Sequence, residues 1–109
     1  MRALALCLLV LAACGRSSGD IDSYIGATCT TNSQCADRCY TGGNFPMGFC
    51  SIPCNSDRDC PSDTVCADEA GGLCMFLCAD VDCRRLGPNW SCRDKDNVGG
   101  GKDAVCAGN

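Results

Sequence analysis

The 109-residue chain contains no histidine. With it go the commonest general base and the commonest neutral metal ligand. No two cysteines stand as Cys-x2-Cys, the knuckle spacing of zinc ribbons and of thioredoxin-like redox centres. Aromatic residues are scarce, at 6%. From residue 28 onward only fourteen Val, Leu, Ile, Met, Phe or Trp side chains remain, which excludes a second domain and a large hydrophobic core. The one apolar run, residues 3–11, is nine residues long, too short to span about 30 Å of hydrocarbon as a helix. Basic excess is missing as well. Setting Arg2 aside, eight Lys or Arg face thirteen Asp or Glu, a side-chain net of −5, so a nucleic-acid partner is not expected. Arg84-Arg85 is the only adjacent basic pair and reads as a solvated face.

Cysteine is what the chain has in abundance, 14 in all. The first two fall in a segment that reads as an export signal: Arg2 is a positive start and residues 3–11 are the apolar stretch. Leu11-Ala12-Ala13-Cys14 resembles the lipobox of bacterial lipoproteins. That resemblance implies a signal peptide over residues 1–13, cleavage before Cys14, and diacylglycerol on the Cys14 thiol with further acylation of the new amino group. Two or three acyl chains make a lasting anchor where one gives only reversible attachment. Gly15 after the cysteine, in place of Asp, leans by the family's sorting rule towards the outer membrane. The competing reading is an ordinary secretory signal cut nearby. Residues 15–27 have no cysteine and little apolar content. Together with Cys14 they read as a lipidated N-terminus and flexible tether, residues 14–27, that would reach about 45 Å when extended.

Twelve cysteines remain, an even number, which in an exported chain reads as a disulfide framework. They are Cys29, Cys35, Cys39, Cys50, Cys54, Cys60, Cys66, Cys74, Cys78, Cys83, Cys92 and Cys106. Their spacing repeats. Units of about 28–50, 54–74 and 78–106 each hold four, and the joints between them, Ser51-Ile52-Pro53 and Met75-Phe76-Leu77, are both three residues long. Between the first two cysteines of each unit lie Ser, Asn, Thr and Asp, residues whose side chains bond nearby amides in turns. Between the third and fourth, short apolar flanks enclose Gly-rich segments, such as Gly71-Gly72 and Gly99-Gly100-Gly101, the pattern of a hairpin. Four cysteines allow three pairings per unit, and spacing does not choose among them. The expectation adopted is the crossed one, because it ties turn to hairpin: Cys29–Cys39, Cys35–Cys50, Cys54–Cys66, Cys60–Cys74, Cys78–Cys92 and Cys83–Cys106. The fold class expected over residues 28–109 is therefore small and disulfide-rich, three tandem units of short β-hairpins and turns with little helix.

The second unit reads Cys54-Asn55-Ser56-Asp57-Arg58-Asp59-Cys60-Pro61-Ser62-Asp63-Thr64-Val65-Cys66, then Gly71-Gly72-Leu73-Cys74-Met75-Phe76-Leu77-Cys78. It resembles the N-terminal cysteine-rich region of Dickkopf-type secreted proteins, and more loosely EGF-like modules. The resemblance implies a non-catalytic extracellular binding module. The first and third units depart from its inner spacing, so no receptor-binding residue is carried over.

The acidic pairs Asp57/Asp59, Asp80/Asp82 and Asp94/Asp96 fail the calcium-loop pattern, since from Asp94 the fifth position is Val98. They read as turn formers. Metal and cofactor are not expected, and neither is catalysis. Lys95 and Lys102 sit in a wet Gly- and Asp-rich loop, and a chain this small offers little cleft for a raised carboxyl pKa. The candidate contact surface is the most aromatic loop, with Tyr40, Phe45, Met47 and Phe49, although so few large apolar groups are as readily the core. The function expected is a membrane-anchored extracytoplasmic lipoprotein with a binding or structural module. Its partners would be the membrane through the lipid and an unidentified protein. The alternative is a freely secreted cysteine-rich ligand or inhibitor.

Overall fold

The structure, a computed structural model, describes residues 19–109. The signal segment 1–13, Cys14 and residues 15–18 of the expected tether lie outside the described residues. Three two-stranded antiparallel sheets follow one another along the chain. β1 (Arg38–Tyr40) pairs with β2 (Phe49–Ser51), β3 (Thr64–Ala67) with β4 (Leu73–Phe76), and β5 (Trp90–Asp96) with β6 (Lys102–Gly108). Three 3-10 turns, Asn32–Gln34, Asp57–Asp59 and Cys83–Leu86, precede them, and no α-helix occurs among the described residues. This is a small disulfide-rich fold of short hairpins.

The repeat is visible in the register. Cys39 faces Cys50, Cys66 faces Cys74 and Cys92 faces Cys106, so the third and fourth cysteines of every unit share one rung of its hairpin. They are not joined to each other. The bridges are Cys29–Cys39, Cys35–Cys50, Cys54–Cys66, Cys60–Cys74, Cys78–Cys92 and Cys83–Cys106, first to third and second to fourth in each unit. Two bridges thus pin each turn beneath its own hairpin. The turns of the first two units also share their hydrogen bonding. Asn32 Oδ1 and Asp57 Oδ1 each accept from the amide of the third cysteine, at 2.9 and 2.8 Å. Gln34 Oε1 and Asp59 Oδ2 reach back to the amides of Thr30 and Asn55, at 2.6 and 2.8 Å. A short polar side chain closes the turn and satisfies donors that no helix or sheet would take up.

Each joint zips onto the last strand of the unit that follows. The Cys74 amide donates to Ile52 O at 3.1 Å, and Pro53 bridges Leu73. Leu77 bridges Val105, and the Cys78 amide donates to Ala104 O at 3.0 Å. The first and third units meet as well. Gly108 N–H donates to Asn44 O at 2.8 Å and Trp90 Nε1–H donates to Pro46 O at 3.0 Å. The core lies where these contacts converge, and Ile25, Phe49, Leu73, Met75, Phe76 and Val105 are fully buried there.

The N-terminal segment corrects the expected boundaries. Residues 19–27, assigned by composition to a flexible tether, belong to the folded domain. Ile25 is fully buried and Ile21 packs against the same cluster. The Gly26 amide donates to Cys50 O at 2.8 Å, and the Cys50 amide donates to Ala27 O at 2.9 Å. Gly26 has φ 107°, and a Cβ there would stand 2.8 Å from Phe76 Cε2, so the backbone must lie flat on the ring. Ala27 stands two residues before Cys29, as Ile52 stands two before Cys54, and both carbonyls accept from the last cysteine of the unit they precede. The segment is a third joint. Two isoleucines and a ladder position outweigh a composition that, averaged, reads as linker.

Candidate functional site

Tyr40, Phe45, Met47 and Phe49 are brought together, but not as a surface. Phe49 is fully buried at the centre of an aromatic cluster. Its ring centroid lies 6.0 Å from Phe45, 6.1 Å from Phe76 and 5.2 Å from Trp90. Tyr40 tilts against Phe45 at 5.8 Å. Phe45, Phe49 and Tyr40 come from the first unit, Phe76 from the joint between the second and third, and Trp90 from the third, so these rings fasten units together. Three of the four candidate contact residues are therefore core, because a chain with so few large side chains has none to spare for display. Met47 alone stays outside, 61% exposed, with φ 68°. Its position follows from Gly48, where a Cβ would fall 1.8 Å from Cys29 O. The loop there lies directly against the Cys29 backbone.

Two shallow grooves mark the surface. One, about 470 Å³, lies in the third unit and is lined by the Cys78–Cys92 bridge, Val81 and Trp90, together with Asp82 and Arg84. The other, about 320 Å³, is lined by Thr28, Cys29, Thr30, Gln34 and Met47. Ser91 also lines the first groove, and its hydroxyl donates to Asn109 Oδ1 at 2.5 Å. The tyrosine in the core behaves as burial dictates: its pKa is raised by desolvation, with the Arg38 cation, 5.9 Å from the ring centroid, pulling the other way. Its hydroxyl has no hydrogen-bond partner among the described residues.

Members of the acidic pairs are engaged in their own turns and, at Asp57, across units. Asp82 accepts from the Arg84 side chain at 3.0 Å and from its backbone amide at 3.1 Å, capping the turn at Cys83 and holding its carboxyl below the ordinary range. Asp96 is held down in the same sense by the Lys102 ammonium at 2.7 Å. Asp57 binds the Cys66 amide and the Asn97 side chain. In each unit three cysteine sulfurs lie within 4.8 Å of one another, for example those of Cys29, Cys35 and Cys39. All belong to bridges, whose sulfurs are no longer thiolates.

Spacing gave no sign of a polar knot shared by all three units. Asn44 of the first donates to Glu69 Oε1 of the second at 2.6 Å and accepts from Lys95 Nζ of the third at 3.1 Å, with Lys95 and Glu69 3.8 Å apart. Its members are separated by 25 and 51 residues, and nothing local marks any of them.

No protein-family model matches the chain, and neither the curated proteins nor the solved structures give a significant match. Six disulfides are compatible with an extracytoplasmic location. Among the described residues no helix is long and apolar enough to cross a membrane.

Proposed function

We propose that this chain is an exported bacterial lipoprotein, anchored by acyl chains on Cys14 and carrying a non-catalytic, disulfide-stapled module for binding or structure at the outer membrane. One arrangement carries the reading. Leu11-Ala12-Ala13-Cys14 closes a nine-residue apolar run, and Gly19, five residues beyond Cys14, is already held in the folded domain. A lipobox cysteine directly ahead of a folded, disulfide-rich module is what an anchored envelope protein requires. The non-catalytic part is supported by the absence of histidine from the sequence and by the carboxylates' engagement in turns. The Dickkopf-like spacing of the second unit favours recognition of another protein, through side chains outside the aromatic cluster.

Metabolic labelling with a clickable fatty acid tests the anchor. Label is expected on the wild type and lost in Cys14→Ser. An unlabelled wild type, or equal label on the variant, refutes it. Intact mass of the gently extracted protein should begin at Cys14, carry acyl chains and show no free thiol, whereas a freely secreted ligand would partition away from detergent.

A further inference from the structure

Resting on the anchor reading above, we infer that the surface around Gly19, with exposed Asp20, Asp80 and Arg85, is held against the membrane, and that it meets a layer of zwitterionic phospholipid headgroups. Gly19 is held at a fixed point of the fold. Gly19 is buried, its N–H donates to Asp63 Oδ2 at 2.6 Å, and its carbonyl accepts from Arg85 Nη1 at 3.1 Å. A Cβ there would stand 3.2 Å from Asp80 O and 3.9 Å from Val81 Cγ2. Gly19 is thus bonded to the second unit through Asp63 and to the third through Arg85.

Reach does the rest. Four residues lie between Cys14 and Gly19, and the five steps from one to the other span at most about 18 Å fully extended. A tether running to residue 27 would allow about 45 Å and leave the domain free to tumble. Acyl chains hold Cys14 at headgroup level, so the short leash keeps the Gly19 side down. The tip of the β5–β6 hairpin is set off along its strands. Cys106 Sγ lies 3.8 Å from Val81 O, and four further residues of strand, about 13 Å, separate Cys106 from Lys102, where the Gly99-Gly100-Gly101 turn begins.

Charge selects the headgroup. The exposed charges next to Gly19 in the chain and in the third unit's turn are Asp20, Asp80, Asp82, Arg84 and Arg85, three acidic and two basic, and Asp82 and Arg84 pair at 3.0 Å. Such a mixed surface matches headgroups that carry both a phosphate and an ammonium. An anionic layer would repel a chain whose side-chain net charge, without Arg2, is −5.

The test uses the extracted lipoprotein in nanodiscs of phosphatidylethanolamine and phosphatidylcholine, doped with a headgroup-nitroxide lipid, and reads amide signal loss by NMR. The amides of Asp20, Asp80 and Arg85 should lose several-fold more intensity than those of Gly99, Gly100 and Gly101. Uniform loss, or loss greatest at the hairpin tip, overturns the assigned face. A ten-residue Gly-Ser insertion after Gly15 should erase the contrast, and a contrast that survives it overturns the leash. A contrast that grows when phosphatidylglycerol replaces the zwitterionic lipids overturns the headgroup class. Intact mass of the same sample reports the anchor separately. Were it to show no acyl chain, the anchor reading would fall, and the mature chain with a synthetic diacyl maleimide on Cys14 would decide the face by the same two patterns.

Discussion

Residues 19–27 and the three cysteine units hold the molecule together in opposite ways. Within a unit the bonds are covalent and short in sequence, spanning 10 to 23 residues. The N-terminal segment has no cysteine, yet Gly19 alone is bonded to partners 44 and 66 residues away. No bridge among the described residues crosses from one unit to another. Sulfur therefore shapes each unit, while the joints, the aromatic cluster and the Asn44–Glu69–Lys95 knot arrange the units relative to one another. The division is physical. A bridge lowers the entropy of the unfolded chain by closing a loop but carries no information about distant neighbours, whereas buried apolar surface does.

The comparison breaks most completely if the sulfur is removed. Each bridge contributes about 2–4 kcal/mol, and six together, about 12–24 kcal/mol, match or exceed the roughly 5–15 kcal/mol net stability of a small domain. Excess reductant should collapse the proton chemical-shift dispersion to that of an unfolded chain, and dispersion that persists would show that packing alone suffices. Breaking the packing instead should leave the units intact. Phe49→Ala removes the ring that meets Phe45, Phe76 and Trp90 and should cost about 3–5 kcal/mol. Ile25→Ala in the N-terminal segment should cost less, in the lower half of about 2–5 kcal/mol. In both variants, chemical denaturation should shift while mass still reports six bridges and the hairpin amides nearest the bridges keep their protection. Scrambled bridges in Phe49→Ala would mean that packing also guides pairing.

Tyr40→Phe sharpens the same contrast in the stabilising direction. The buried hydroxyl has no partner among the described residues, and an unsatisfied buried polar group costs about 1–3 kcal/mol. Removing it should raise stability by roughly 1 kcal/mol, read as a higher denaturation midpoint. Burial also raises the phenol pKa above 10.0, so the folded state holds this proton more tightly than the unfolded state does. Stability is lost as pH rises past 10.0, and the Phe variant should lack that part of the alkaline decline.

What the sequence made legible follows the covalent side of the contrast. Twelve cysteines in three fours, joints of constant length, and Gly-rich segments between short apolar flanks are all local signals, and they mark the hairpins and turns. The Asn32 and Asp57 turns were readable for the same reason, since a short polar side chain acts on amides a few residues away. What stayed hidden is long-range. Whether Tyr40, Phe45 and Phe49 face inward depends on Phe76 and Trp90, which no spacing places beside them. The segment 19–27 reads as linker by composition. The one clue was its place in the repeat, since Ala27 stands before Cys29 as Ile52 stands before Cys54.

The smallest effect belongs to the exposed ion pairs of the third unit, where neither sulfur nor core is at stake. The Arg84 side chain, and then its backbone amide, hold Asp82 below 3.8, and Lys102 holds Asp96 below the same value. A carboxylate whose folded pKa is depressed adds stability that is fully present above its unfolded pKa and is lost as pH falls through the folded one. The contribution should therefore be constant at neutral pH and disappear only below about pH 4. Both pairs lie in water, where screening leaves an ion pair little net effect, so the acid decline should be slight and confined to the third unit. Carboxyl-carbon NMR titration checks it. Midpoints for Asp82 and Asp96 below 3.8 are expected, each rising towards that value in Arg84→Gln and Lys102→Gln respectively. Midpoints already at or above it in the wild type would mean that the two pairs do not persist in solution and that the third hairpin is held by its bridges and joint alone.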